Sequence, residues 1–223
     1  AEDGIRDRSP SRGLGDVYKR QTDATYNPAN GDLELTIGNH DLKAGTNLKI
    51  AQDSIKFTCE MDGNTAVKSY PRATDPVSHE PINITSVGSD DMTVESAIYS
   101  PGTGDLVIII QNHNLQTGDK VMITDGSITF SCQRDSNGSN HPYPRATDPV
   151  SGQWLTVTGI DNNSFNVNVG ISSDVSSHSF VSATTGGLKK QNGKVTVNVG
   201  SSPIVNYTPT GANFTPSTLS LIH

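Results

Sequence analysis

Leu33-Glu34-Leu35-Thr36-Ile37 carries an apolar side chain at every second position. That period puts the apolar groups on one face of an extended chain and the polar groups on the other, as in a strand covered on one side. Ile55-Lys56-Phe57-Thr58-Cys59, Ile82-Asn83-Ile84-Thr85 and Phe165-Asn166-Val167-Asn168-Val169 alternate in the same way. Asn30-Gly31, Asp62-Gly63, Asp125-Gly126, Asn137-Gly138 and Asn192-Gly193 separate these runs as turn dipeptides. No stretch sustains the helical period beyond about two turns. The pattern predicts an all-β chain built from antiparallel strands.

These strands recur. Residues 26–95 align with residues 99–168 at a constant spacing of 73, without a gap and with 28 of 70 positions identical. Tyr26-x-Pro28-x-x-Gly31-Asp32-Leu33 returns as Tyr99-x-Pro101-x-x-Gly104-Asp105-Leu106, and Asn39-His40-x-Leu42 as Asn112-His113-x-Leu115. Ser54-Ile55-x-Phe57-x-Cys59 returns as Ser127-Ile128-x-Phe130-x-Cys132. The nine residues 70–78, YPRATDPVS, return unchanged at 143–151. The expected organisation is serial: a β repeat at 22–95, a second at 96–170, and a β-rich insert at 171–213. In the insert, 179–182 and 194–199 flank a glycine-rich turn as an extra β-hairpin element. Residues 214–218 resemble the start of a truncated third repeat. Each repeat is expected to be a small antiparallel sandwich or barrel-like unit with a modest core, covered in part by neighbours.

The remaining composition narrows the function. The chain has 223 residues, a net charge of -7, 32% hydrophobic and 17% charged residues. A mean hydropathy of -0.43 with low charge suits a turn-rich β protein better than a disordered polyelectrolyte. The acidic excess argues against nucleic acid as a partner. The longest apolar run, 106–110, is far too short to cross a bilayer as a helix, so membrane insertion is not expected.

The ends read differently. Val17-Tyr18-Lys19-Arg20-Gln21 can be encoded GTG TAT AAG AGA CAG, and Leu219-Ser220-Leu221-Ile222-His223 can be encoded CTG TCT CTT ATA CAC. These strings are reverse complements and resemble the transposase mosaic end of sequencing libraries. The expectation is that 1–21 and 219–223 are translated adaptor, disordered or non-native, and that the natural protein is longer at both ends.

No catalytic signature is present: no G-x-S-x-G, no H-E-x-x-H and no P-loop. The expectation is a non-enzymatic chain with no cofactor and no metal. Cys59 and Cys132 occupy the same position of each repeat, on the apolar face of a strand. They read as buried free thiols acting as small hydrophobes. His40 and His113 lack a second ligand at metal spacing and read as turn residues that hydrogen-bond the backbone. In YPRATDPVS, each proline holds its preceding residue extended and admits a cis bond at Tyr70-Pro71 and Tyr143-Pro144. Arg72 with Asp75, and Arg145 with Asp148, are placed to form charge-assisted pairs. Tyr70, Arg72, Asp75, Tyr143, Arg145 and Asp148 are therefore the candidate residues for contact with a ligand or a neighbouring subunit. The competing reading is a self-contained brace.

The run SIKFTCEMDGN at 54–64, followed by YPRATDPVS and strands ending T-V-E or N-V-G, resembles the repeats of virion structural proteins of marine tailed phages. Those of phages infecting cyanobacteria are the nearest in kind. His178-Ser179-Phe180-Val181-Ser182 also resembles a segment found in them. The resemblance implies a tail or tail-fibre component located in the virion and assembled in the host cytoplasm. It implies other virion subunits as partners, a homo-oligomeric state, and contact with a host surface glycan or protein. The alternatives are a bacterial cell-surface adhesin-type β-repeat and a carbohydrate-binding module.

Overall fold

The computed structural model describes residues 17–20, 23–203, 205–209 and 218–222. Apart from two short 3-10 turns, Glu60–Asp62 and Gln133–Asp135, its regular structure is strand. Every strand pairing is antiparallel, so the expected all-β antiparallel class holds. The alternation predicts the burial well. Along Asp32–Thr36, Leu33 and Leu35 are buried while their neighbours are half exposed, and Ile55–Cys59 behaves likewise.

The serial arrangement does not hold. Strand Asp105–Ile109 of the second unit lies between Ser96–Ser100 and Ser164–Asn168. Its counterpart in the first unit, Asp32–Thr36, lies between Asp23–Asn27 and the far end of Leu188–Asn198. Val195 and Val197 are thus fully buried in the first unit's core, beside Leu33, Leu35 and Ile84. Strand Ile55–Cys59 likewise takes Tyr207–Pro209 as a partner, as Ile128–Cys132 takes His178–Ala183. The stretch 171–213 is therefore no separate hairpin. Its strands are shared out to complete both units.

The reason is an insertion. In the second unit, Thr158–Ile160 and Ser164–Asn168 form a hairpin closed at Asp161. At the equivalent place in the first unit, strand Ile82–Met92 runs outward, the whole second unit follows, and Leu188–Asn198 returns alongside. The second unit is nested in a hairpin turn of the first. The outer end of this ribbon serves the inserted unit as well. Leu188 is fully buried in the second core, and Leu188 to Lys190 pair with Lys120–Ile123.

A similar ribbon accompanies the first unit. Val17–Arg20 pairs with Thr218–Ile222, which pairs in turn with Asn47–Lys49. Val17, Tyr18 and Lys19 hold the positions that Asp90, Asp91 and Met92 hold in the second unit, at the same spacing of 73. Apart from Thr218, these strands fall in the stretches assigned to adaptor, and the backbone at 17–20 and 218–222 is extended and paired. Leu219-Ser220-Leu221 alternates apolar and polar residues, a period that suits a strand irrespective of its origin. The third-repeat start expected at 214–218 lies, up to residue 217, outside the described residues.

Two glycines show how tightly each unit closes. Gly31 and Gly104 have φ +82° and +76°, and a Cβ there would come within 2.4 Å of the Gly200 carbonyl carbon or 2.5 Å of that of Gly170. Beside them, the Tyr26 and Tyr99 hydroxyls donate to the carbonyls of Gly200 and Gly170, both at 2.8 Å.

Candidate functional site

The loop 70–78 and its twin 143–151 follow edge strands Lys68–Tyr70 and Asn140–Tyr143. Both open on a cis peptide, Tyr70-Pro71 and Tyr143-Pro144. The carbonyl of Pro71 accepts from the Asp53 N–H at 2.8 Å, and that of Pro144 from the Gly126 N–H at 2.7 Å. Asp148 accepts the backbone N–H of Arg145 at 2.9 Å, its Nε at 3.1 Å and its Nη2 at 2.9 Å. Asp75 accepts from Arg72 in the same way, at 2.8, 3.3 and 3.0 Å.

In each pair the carboxylate is covered and the guanidinium is not: side-chain exposure is 13% for Asp148 and 75% for Arg145. Burial alone would raise both carboxyls. The side-chain and backbone hydrogen bonds from the paired arginine outweigh it and hold Asp75 and Asp148 below the ordinary carboxylate range. Burial also pushes the Tyr70 and Tyr143 hydroxyls above the usual phenol range, helped by the nearby Asp75 and Asp148. The Arg–Asp pairs thus brace their own loops, and the tyrosine rings pack on the two cores.

In the second unit the loop also forms one wall of a cleft of about 770 Å³. Leu106, Phe130 and Val169 form its floor. Tyr143, Tyr99 and His178 stand around it, and the ring of Tyr143 meets that of Phe130 edge-on at 6.4 Å. At the rim, Arg134 pairs with Asp174 at 3.6 Å and His141 with Asp135 at 3.0 Å. Of the sequence candidates, Tyr143, Arg145 and Asp148 come together here. Tyr70, Arg72 and Asp75 hold the same places in the other unit. The sequence alone does not single out Tyr99, His178, Arg134 and Asp174, because they arrive from strands and loops far apart in the chain. A spacing of about 30 carried the missing signal: FNVNVG at 165–170 returns as VTVNVG at 195–200, which aligns the segment before His178 with that before Tyr207.

The two units differ at this face. Tyr207 stands where His178 does, beside Tyr26 as His178 stands beside Tyr99. The Tyr207 hydroxyl lies 3.2 Å from Ser202 Oγ. Met61 and Lys68 replace Arg134 and His141.

Cys59 and Cys132 are free and buried. The Cys132 thiol points at Asp174, with 3.8 Å between Sγ and Oδ2. His113 Nδ1 accepts the Leu115 N–H at 3.0 Å, which leaves Nε2 as the donor to the Asp161 carbonyl at 2.9 Å. His40 accepts the Leu42 N–H in the same way at 3.1 Å. The hairpin turn that His113 grips is missing in the first unit, and Gln191 takes its place. Gln191 Oε1 accepts the His40 N–H, and its Nε2 donates to the His40 carbonyl, both at 3.0 Å. Among the described residues, no three His, Cys, Asp or Glu side chains gather as a metal site, and no helix is long and apolar enough to cross a membrane. No family model matches the chain, and neither does any curated protein or solved structure.

Proposed function

We propose that this chain is a non-enzymatic structural component of a tailed-phage virion, a tail or tail-fibre spacer that displays loops toward a host surface. The observation that carries the reading is the connection between the units. Two chain crossings, Ile82–Met92 and Leu188–Asn198, run together as one hydrogen-bonded ribbon whose strands enter both cores. Each has 11 residues, a length of about 35 Å at strand rise. A single linker swivels about its rotatable bonds, whereas a paired ribbon anchored at both ends holds orientation. That property serves a spacer under load. Polar contacts add to it, among them Asn39 to Asp119 at 3.1 Å and Lys120 to Asp41 at 2.5 Å.

On this reading the partners are other virion subunits, further copies of the chain, and a glycan or protein of the host surface. The test is mass spectrometry and immunogold labelling of purified particles with an antibody raised against the chain. Labelling along the tail is the expected result. Absence from particles, with recovery from the surface fraction of uninfected bacteria, would replace this reading with the adhesin one.

A further inference from the structure

We propose that the cleft of the second unit binds a neutral, hydroxyl-rich saccharide, and that the equivalent face of the first unit does not. The inference deepens the host-contact part of the reading above.

Four observations point the same way. The volume of about 770 Å³ lies within the range of small-ligand sites. The floor is apolar and the walls are aromatic, which suits the C–H face of a pyranose ring. The rim carries no excess of positive charge: Arg134 faces Asp174 and Arg145 faces Asp148, while the His141 ring lies 3.0 Å from Asp135. A phosphate or other polyanion requires an excess of positive charge, which this rim lacks. Paired carboxylates and guanidinia with spare lone pairs and N–H groups instead suit sugar hydroxyls, which both donate and accept.

One group in the cleft also awaits a partner. His178 Nε2 is buried without a hydrogen bond among the described residues. Buried polar atoms are almost always satisfied, so an unsatisfied one beside a cleft marks where a ligand group would sit. Strand addition by a peptide is disfavoured, because the edge strand bordering the cleft carries Pro142, which has no N–H to offer.

The test is a glycan array followed by NMR titration of the whole chain with the neutral oligosaccharides that score. Sialyllactose serves as the anionic probe and a random peptide pool as the peptide probe. Shifts at His178 and Tyr143 with a neutral sugar are expected. Tyr143→Ala and His178→Ala should each weaken binding roughly tenfold or more, as removal of a central contact does. Tyr70→Ala, at the twin position, should leave it unchanged. Arg134→Met installs the first unit's residue at a side chain that is 77% exposed, so it leaves folding intact and should also weaken binding. Binding of only the anionic or peptide probe, no binding at all, or sugar binding indifferent to Arg134→Met and His178→Ala would overturn the proposal. Particle labelling is read independently, so a failed titration leaves the virion reading standing on its own result.

Discussion

Val195 lies directly opposite Leu35 in the first unit, as Phe165 lies opposite Ile108 in the second. The same strand pair is built from neighbours in one copy and from segments on either side of a whole domain in the other. The first core is therefore closed by a strand that follows the whole second unit in the chain.

That dependence can be tested by dissection. Residues 22–95 alone lack Lys194 to Asn198 and should not fold, since Leu33 and Leu35 would lose their covering strand. Joining Val87 to Val195 through the second unit's own turn, Asp161-Asn162-Asn163-Ser164, should restore a folded first unit. Circular dichroism and amide NMR dispersion report both outcomes. A folded 22–95 fragment would show that the returning strand is dispensable.

Close approach at the glycines predicts a large local penalty. Gly31→Ala and Gly104→Ala each force a Cβ into a backbone carbonyl carbon at positive φ. Each should cost well above the roughly 1 kcal/mol on which the effects of single substitutions centre. Tyr26→Phe and Tyr99→Phe remove only a hydroxyl donor and should cost about 0.5–1.5 kcal/mol each. Thermal denaturation ranks the four variants.

Gln191 is 2% exposed and serves both backbone groups of His40. Gln191→Leu keeps the bulk but strips a buried N–H and a carbonyl of their partner. A loss of about 1–3 kcal/mol per unsatisfied group is expected in urea denaturation. An unchanged midpoint would mean that the junction is held by the ribbon's backbone alone.

The loop braces predict an acid response with a definite sign. Asp75 and Asp148 sit below the ordinary carboxylate range when folded. A carboxyl of that kind stabilises fully above its unfolded pKa and stops doing so as the pH falls through its folded value. The contribution should be complete at neutral pH and drain away below about pH 4. Asp148→Asn should lower the melting temperature at pH 7 and narrow its gap to the parent at pH 3. Arg145→Ala, at an exposed side chain, should cost about 0.2–1 kcal/mol, because the Arg145 backbone N–H still reaches Asp148.

Both thiols should resist modification. Cys59 and Cys132 are 3% and 6% exposed, so a maleimide should label neither in the native chain and both in denaturant. Rapid native labelling of Cys132 alone would indicate that the cleft opens to its floor.

What could be read along the chain was local. Alternation at 33–37 and 55–59 marked strands and their buried faces, because side-chain direction in a strand depends only on position parity. The copied YPRATDPVS marked a braced loop, because its arginine and aspartate sit three residues apart. The two equivalent cysteines marked a core position, because they fall on the apolar face of an alternating strand. The nesting was a matter for the fold as a whole. A strand edge offers the same N–H and C=O groups to any partner, so nothing in Leu33 to Ile37 names Val195 to Val197 rather than a nearer segment. The cleft likewise arose where His178 met Tyr99 and Tyr143, since a concave surface is a property of separately placed segments and of none of them alone.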